Sequence, residues 1–226
     1  MMLINGEWCF IHIPKNSGTN LKKVFLESDN RVEYFIHNRV KNDTVATWIK
    51  SAITGQLSKM QTHVVDDATY QHSPLFLWQE LNIVKEQKIF TISRNPFTRF
   101  VSYCSQLKSL AGLLVPEMSL TEFIHSEYLD KTLQFLPKNI TYNCNQVDYL
   151  VNRDGKIVLD KFYKLEDGLL DLQDDFKLTN INTFMYNSGN YQKDYSKIYT
   201  DTTIKLVQSI FQKDFEYFKY SNLPFW

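Results

Sequence analysis

The stretch Trp8-Cys9-Phe10-Ile11-His12-Ile13-Pro14-Lys15-Asn16-Ser17-Gly18-Thr19-Asn20-Leu21 decides the fold. Trp8 to Ile13 is a short apolar run rich in β-formers, and Pro14 ends it, which is the pattern of a buried strand. Asn16-Ser17-Gly18 is turn chemistry. Helical spacing then resumes from Thr19 to Ser28 through Leu21, Val24 and Phe25. A strand that enters a tight loop opening a helix points consecutive backbone N–H groups and the helix N-terminus at one concavity, an arrangement suited to a phosphate. Lys15 adds a mobile positive charge at the mouth, and Thr19 adds a hydroxyl donor.

The nucleotide-hydrolysing loop G-x-x-x-x-G-K-[ST] is the first comparison, and it fails. It needs its lysine directly after the last glycine. Here Lys15 precedes Gly18 by three positions, and no earlier glycine is in place.

A second stretch repeats the logic: Ile89-Phe90-Thr91-Ile92-Ser93-Arg94-Asn95-Pro96-Phe97-Thr98-Arg99-Phe100-Val101-Ser102. Lys88 to Ser93 reads as a buried strand, and Pro96 sits at the first position of a following helix. Arg94 therefore closes a strand at its carboxyl end, where ligands bind in open α/β sheets. Ser102 follows about two helical turns later. Arg94 offers a planar fork suited to a phosphate, and Ser102 offers one hydroxyl.

The order P-K-x-x-G-T after the first strand resembles the 5′-phosphosulfate loop of sulfotransferases that use 3′-phosphoadenosine 5′-phosphosulfate (PAPS). Arg94 to Ser102 resembles their 3′-phosphate motif, R-[ND]-P-x-x-R-x-x-S. With both in order, the chain is similar to the carbohydrate type of that family, which includes heparan sulfate 2-O-sulfotransferases. Phe162-Tyr163-Lys164-Leu165-Glu166-Asp167, running on to Asp175-Phe176, is similar to a further family segment, and the closing helix is similar more loosely.

The resemblance implies a P-loop-like three-layer α/β fold with a central, mainly parallel sheet flanked by helices. It implies PAPS as sulfuryl donor, in-line displacement and no metal. The donor-binding residues would be Lys15, Asn16, Ser17, Gly18, Thr19, Asn20, Arg94 and Ser102, joined by Lys193 in the loop before the last helix. Lys15 would also neutralise charge on the leaving phosphate. Arg99 reads as a structural ion-pair partner. The family loop more often reads P-K-T-G-G-T-S, so Asn16, Ser17 and Asn20 are departures. Backbone donation survives them, while the usual hydroxyl at position 20 is replaced by an amide.

A hydroxyl acceptor gains from a general base, and histidine suits neutral pH. Of His12, His37, His63, His72 and His125, His63 matches where the family places a histidine, upstream of the Arg94 strand. His72 is the reserve. His12 lies inside the first strand and reads as buried, and His125 reads as a surface residue of a peripheral helix.

Working outward, further strands are expected over Arg31–His37 and Met60–Val65. Helices are expected over Asp43–Thr54, Pro74–Lys85, Met118–Asp130, Asp167–Phe176 and Asp201–Phe218. Gln146–Val151 and Lys156–Lys164 read as a hairpin around Asn152-Arg153-Asp154-Gly155. Strands alternating with helices give an α/β chain with a parallel sheet, read as a single domain over 1–226. Trp48, Tyr70, Trp78 and Tyr103 have the aromatic faces that stack on sugars, but their spacing assigns most of them to core packing.

Lys+Arg 25 against Asp+Glu 25 leaves no net charge, which argues against nucleic acid as the partner. Cys9, Cys104 and Cys144 show neither disulfide nor zinc spacing. No signal peptide or apolar run long enough for a bilayer stands out, so the chain reads as cytoplasmic with no membrane partner. The expected acceptor is a hydroxyl on a carbohydrate or small metabolite. Two other classes stay open: a P-loop-like kinase or NTPase, and a non-catalytic module that binds the nucleotide product, 3′-phosphoadenosine 5′-phosphate (PAP).

Overall fold

A computed structural model of the chain describes residues 1–34, 72–80, 82–111, 117–129, 144–178 and 195–224. His63, Lys193, Trp48, Tyr70 and the elements expected over 43–54 and 60–65 lie outside them, and of Thr19 and Asn20 only the backbone is described.

The described residues form a five-stranded sheet with the order β3-β1-β2-β4-β5. β1 is Met2–Ile4, β2 Trp8–Phe10, β3 Val32–Tyr34, β4 Lys88–Ser93 and β5 Lys161–Lys164. β2, β4 and β5 pair in parallel, whereas β1 runs antiparallel to both β2 and β3. Every strand except β1 therefore points the same way. Asn5 and Gly6, both at positive φ, turn β1 into β2. The α/β architecture with a mainly parallel central sheet is thus the observed one.

Period-2 alternation buries both faces of the sheet. Phe10, Phe90 and Ile92 face one core, shared with Leu21, Val24 and Phe25 of α1 (Gly18–Leu26) and with Leu172 and Phe176 of α5 (Leu170–Phe176). Cys9, Ile11, Ile13 and Ile89 face the other, with Leu75 and Trp78 of α2 (Leu75–Glu80) and Phe218. A third cluster joins α3 (Pro96–Ala111), α4 (Leu120–Ile124) and α6 (Asp201–Ile210) through Phe97, Phe100, Cys104, Phe123, Val207 and Phe211. Helices on both faces supply the three layers. Trp78 and Tyr103 are buried, as their spacing indicated. Among the described residues no helix is long and apolar enough to cross a membrane.

Two local expectations change. Gln146–Leu150 is a 3₁₀ turn rather than a strand, and only Val151 and Ile157 bridge where a hairpin was expected. The side chain of Gln146 and the N–H of Val147 bond elsewhere, which winds this segment away from a ladder. Lys161–Lys164 joins β4 in parallel instead. The last helix breaks at Phe211 into α6 and α7 (Gln212–Tyr217), and the break turns Asp214 into the protein interior.

Candidate functional site

Parallel pairing sets the site. Phe10 of β2 is in register with Phe90 of β4, so the chain leaves both strands at one sheet edge. The Lys15 loop and the Arg94 turn, 79 positions apart, therefore meet: Arg94 donates from Nη1 to the backbone carbonyl of Lys15 at 2.9 Å. β5 ends at the same edge and delivers Glu166.

The loop is bent into an uncommon shape. Lys15 and Ser17 both have left-handed backbones, with φ of 69° and 62°. Alternating left-handed residues turn successive N–H groups toward one concavity. Among the described residues no acceptor takes the N–H of Ser17 or Gly18. Gly18, the first residue of α1, is needed for a close approach, since a Cβ there would lie 1.9 Å from the His12 ring. That ring is stacked on Phe10 and lies 4.2 Å, centroid to centroid, from the His72 ring. His72 is joined through Nδ1 to the His12 carbonyl at 3.0 Å. Burial holds both imidazoles neutral, with His72 pushed down to about 4.

Three consecutive loop residues are held from the Arg94 side. Arg99 donates from Nε to the Pro14 carbonyl at 3.3 Å, and Arg94 holds that of Lys15. The Asn16 amide donates to the Ile92 carbonyl at 2.7 Å and to Gln146 Oε1 at 2.6 Å. The Asn16 side chain thus faces inward. Burial, and then the nearby Arg94 charge, lower the Lys15 ammonium to about 8.

Arg94 is half-buried, and burial lowers its pKa while Tyr195 and Glu166 oppose that shift. Nε donates to Thr98 Oγ1 at 3.0 Å, and Tyr195 is a further partner. A guanidinium has five N–H groups, so these bonds do not exhaust it. Ser102 lies half-buried two turns along α3.

The expected ion pair of Arg99 is present. Its guanidinium, 1% exposed, stands 3.9 Å from Asp214 and donates to the Cys144 carbonyl. Burial raises Asp214 to about 6, against the pull of Arg99 and of the N–H groups of Gln146 and Val147.

Sequence reasoning missed three residues here. Gln146 lies in a segment that reads as a strand, where a single polar residue gives no signal, and Asp214 belongs to the closing helix, whose loose family likeness assigns it no role. Glu166 was quoted only as part of a similar segment. Its carboxylate accepts from the Asn95 N–H at 2.8 Å, from Thr98 Oγ1 at 3.2 Å and from Tyr220 Oη at 3.0 Å. It therefore ties β5 and the C-terminal segment to the start of α3. Among the described residues no group of His, Cys, Asp and Glu stands together as a metal site.

The edge offers two cationic groups, the N–H groups of Ser17 and Gly18, which have no acceptor among the described residues, and a helix N-terminus. That combination holds and neutralises anionic oxygen atoms. No curated protein and no solved structure matches the chain significantly. The model of the sulfotransferase family does match, over residues 7–111, the segment that contains both the Lys15 loop and the Arg94–Ser102 motif. Residues 7–111, just under half of the chain, are thus similar to the sulfotransferase family, and the likeness takes in both phosphate-type loops.

Proposed function

We propose that the protein transfers a sulfuryl group from PAPS to a hydroxyl acceptor, with a carbohydrate as the acceptor class. The observation that carries this reading is the meeting of two anion-binding elements, the Lys15 loop and Arg94, at one sheet edge. The fit is chemical: the N–H groups of Ser17 and Gly18, with Lys15, suit a phosphosulfate, and the fork of Arg94 suits a phosphate monoester. When bound, PAPS supplies the sulfuryl group for in-line transfer.

The chain's own part is positioning and charge neutralisation. Lys15, Asn16, Ser17, Gly18, Thr19 and Asn20 hold the 5′ end, with the Lys15 ammonium against the leaving phosphate oxygen. Arg94, Ser102 and Lys193 hold the 3′-phosphate. His63 is the proposed base. The reserve, His72, is engaged with the His12 carbonyl, and at about 4 it is too weak a base to match neutral pH.

Thermal shift with PAP, PAPS, ATP and AMP tests the donor. PAP and PAPS should stabilise the protein most, and Arg94→Ala should abolish the preference for PAP over AMP. Equal stabilisation of the wild type by AMP and PAP overturns the donor assignment. His63→Ala should abolish transfer while PAP binding persists, and a loss of PAP binding would make His63 structural.

A further inference from the structure

We propose that Gln146 is a positioning residue that sets the separation of the Lys15 loop from Arg94, and through it the selection of a nucleotide phosphorylated at both ends. This rests on the donor reading above.

Gln146 is fully buried at the start of the 3₁₀ turn, and its amide uses all of its hydrogen-bonding capacity. Oε1 accepts from the Arg94 N–H at 2.9 Å and from Asn16 Nδ2 at 2.6 Å. Nε2 donates to the Arg94 carbonyl at 2.9 Å and to Asp214 Oδ2 at 3.1 Å. By pairing with both backbone groups of Arg94, the side chain stands in for a neighbouring strand just where β4 has ended. The same oxygen holds the residue after Lys15, so one planar amide fixes both anion-binding elements.

Its orientation is itself fixed. A reversed amide would turn its nitrogen toward the Arg94 and Asn16 donors and its oxygen toward the Asp214 carboxylate and the Arg94 carbonyl. Asp214 anchors the arrangement further by accepting from the Val147 N–H at 3.1 Å. Among the described residues Gln146 reaches the ligand side through Asn16 and Arg94, and, being fully buried, it acts on geometry rather than on substrate. A shift of the loop relative to Arg94 leaves each element able to bind one phosphate, but not both in the spacing of one nucleotide. The readout is therefore the ratio of AMP to PAP dissociation constants, which a loss of stability by itself does not move.

The experiment is calorimetric titration of PAP and AMP into wild type, Gln146→Met and Asn16→Ala, with the folded fraction of each checked by near-UV circular dichroism. Met keeps the volume and removes all four bonds, and the expected result is a fall in the ratio of at least about tenfold. Asn16→Ala removes the loop's bonds to Gln146 and to the Ile92 carbonyl while Gln146 keeps Arg94, and it should lower the ratio in the same direction, which decides the matter if the Met variant does not fold. A ratio within about twofold of wild type in a folded variant overturns the proposal while the donor reading stands. A wild-type ratio near one overturns both.

Discussion

The Arg94 guanidinium donates to the Lys15 carbonyl at 2.9 Å, so the residue assigned to one end of the nucleotide also shapes the loop assigned to the other. The two elements proposed to bind anions are one hydrogen-bonded unit. A substitution in either is felt by both.

Arg94→Lys should therefore weaken AMP as well as PAP, although AMP lacks a 3′-phosphate. Lysine keeps the charge but has no fork to span Thr98 Oγ1 and the Lys15 carbonyl. Losing hydrogen bonds from a charged donor costs about 1.5–3 kcal/mol. The expected pattern is a loss of about a hundredfold for PAP and a few-fold for AMP, read by calorimetry. Unchanged AMP binding would show that the Lys15 carbonyl contact carries no energy.

Anion affinity should fall as pH rises through about 8, where the half-buried Lys15 ammonium loses its proton. The sign follows from linkage: an anion favours the charged amine, so binding above that pH takes up a proton. In the free protein the unfolded chain holds this proton more tightly, and the Lys15 contribution makes stability rise with pH from about 8 to 10.5. Titrating PAP between pH 7 and 9.5 checks the first statement, and Lys15→Arg should flatten the profile.

Gly18→Ala should destabilise strongly, because its Cβ meets the His12 ring at 1.9 Å and that ring is held between Phe10 and His72. Overpacking of this kind costs about 1–3 kcal/mol, or more. Urea unfolding measures it. Adding His12→Ala should return part of the loss, and strict additivity of the two substitutions would place the strain elsewhere.

Ser17→Gly should stabilise by about 1 kcal/mol, since Ser17 holds a left-handed backbone at φ 62° that glycine adopts without a Cβ penalty. This is the position where the family loop more often has glycine. A lower urea midpoint in the variant would show that the Ser17 side chain contributes more than its backbone costs.

The hydrophobic alternation of Trp8–Ile13 and Lys88–Ser93, the loop chemistry after Pro14 and the helix start at Pro96 are local signals. They were enough to specify two strand–loop–helix units and the α/β class, and they carry the proposal that Lys15 and Arg94 bind anions. β1 was missed although Asn5-Gly6 marks its turn, because a three-residue strand gives too short a pattern for periodicity to register. The segment at Gln146 was misread because its backbone follows side-chain bonds to Arg94 and Asp214, partners 52 and 68 positions away. What only the tertiary structure decided is that the two units share one edge, that Arg94 holds the Lys15 carbonyl, and that Gln146, Glu166 and Asp214 brace them. Such bonds join residues far apart in the chain, and their geometry exists only once the parallel pairing of β2, β4 and β5 has brought them together.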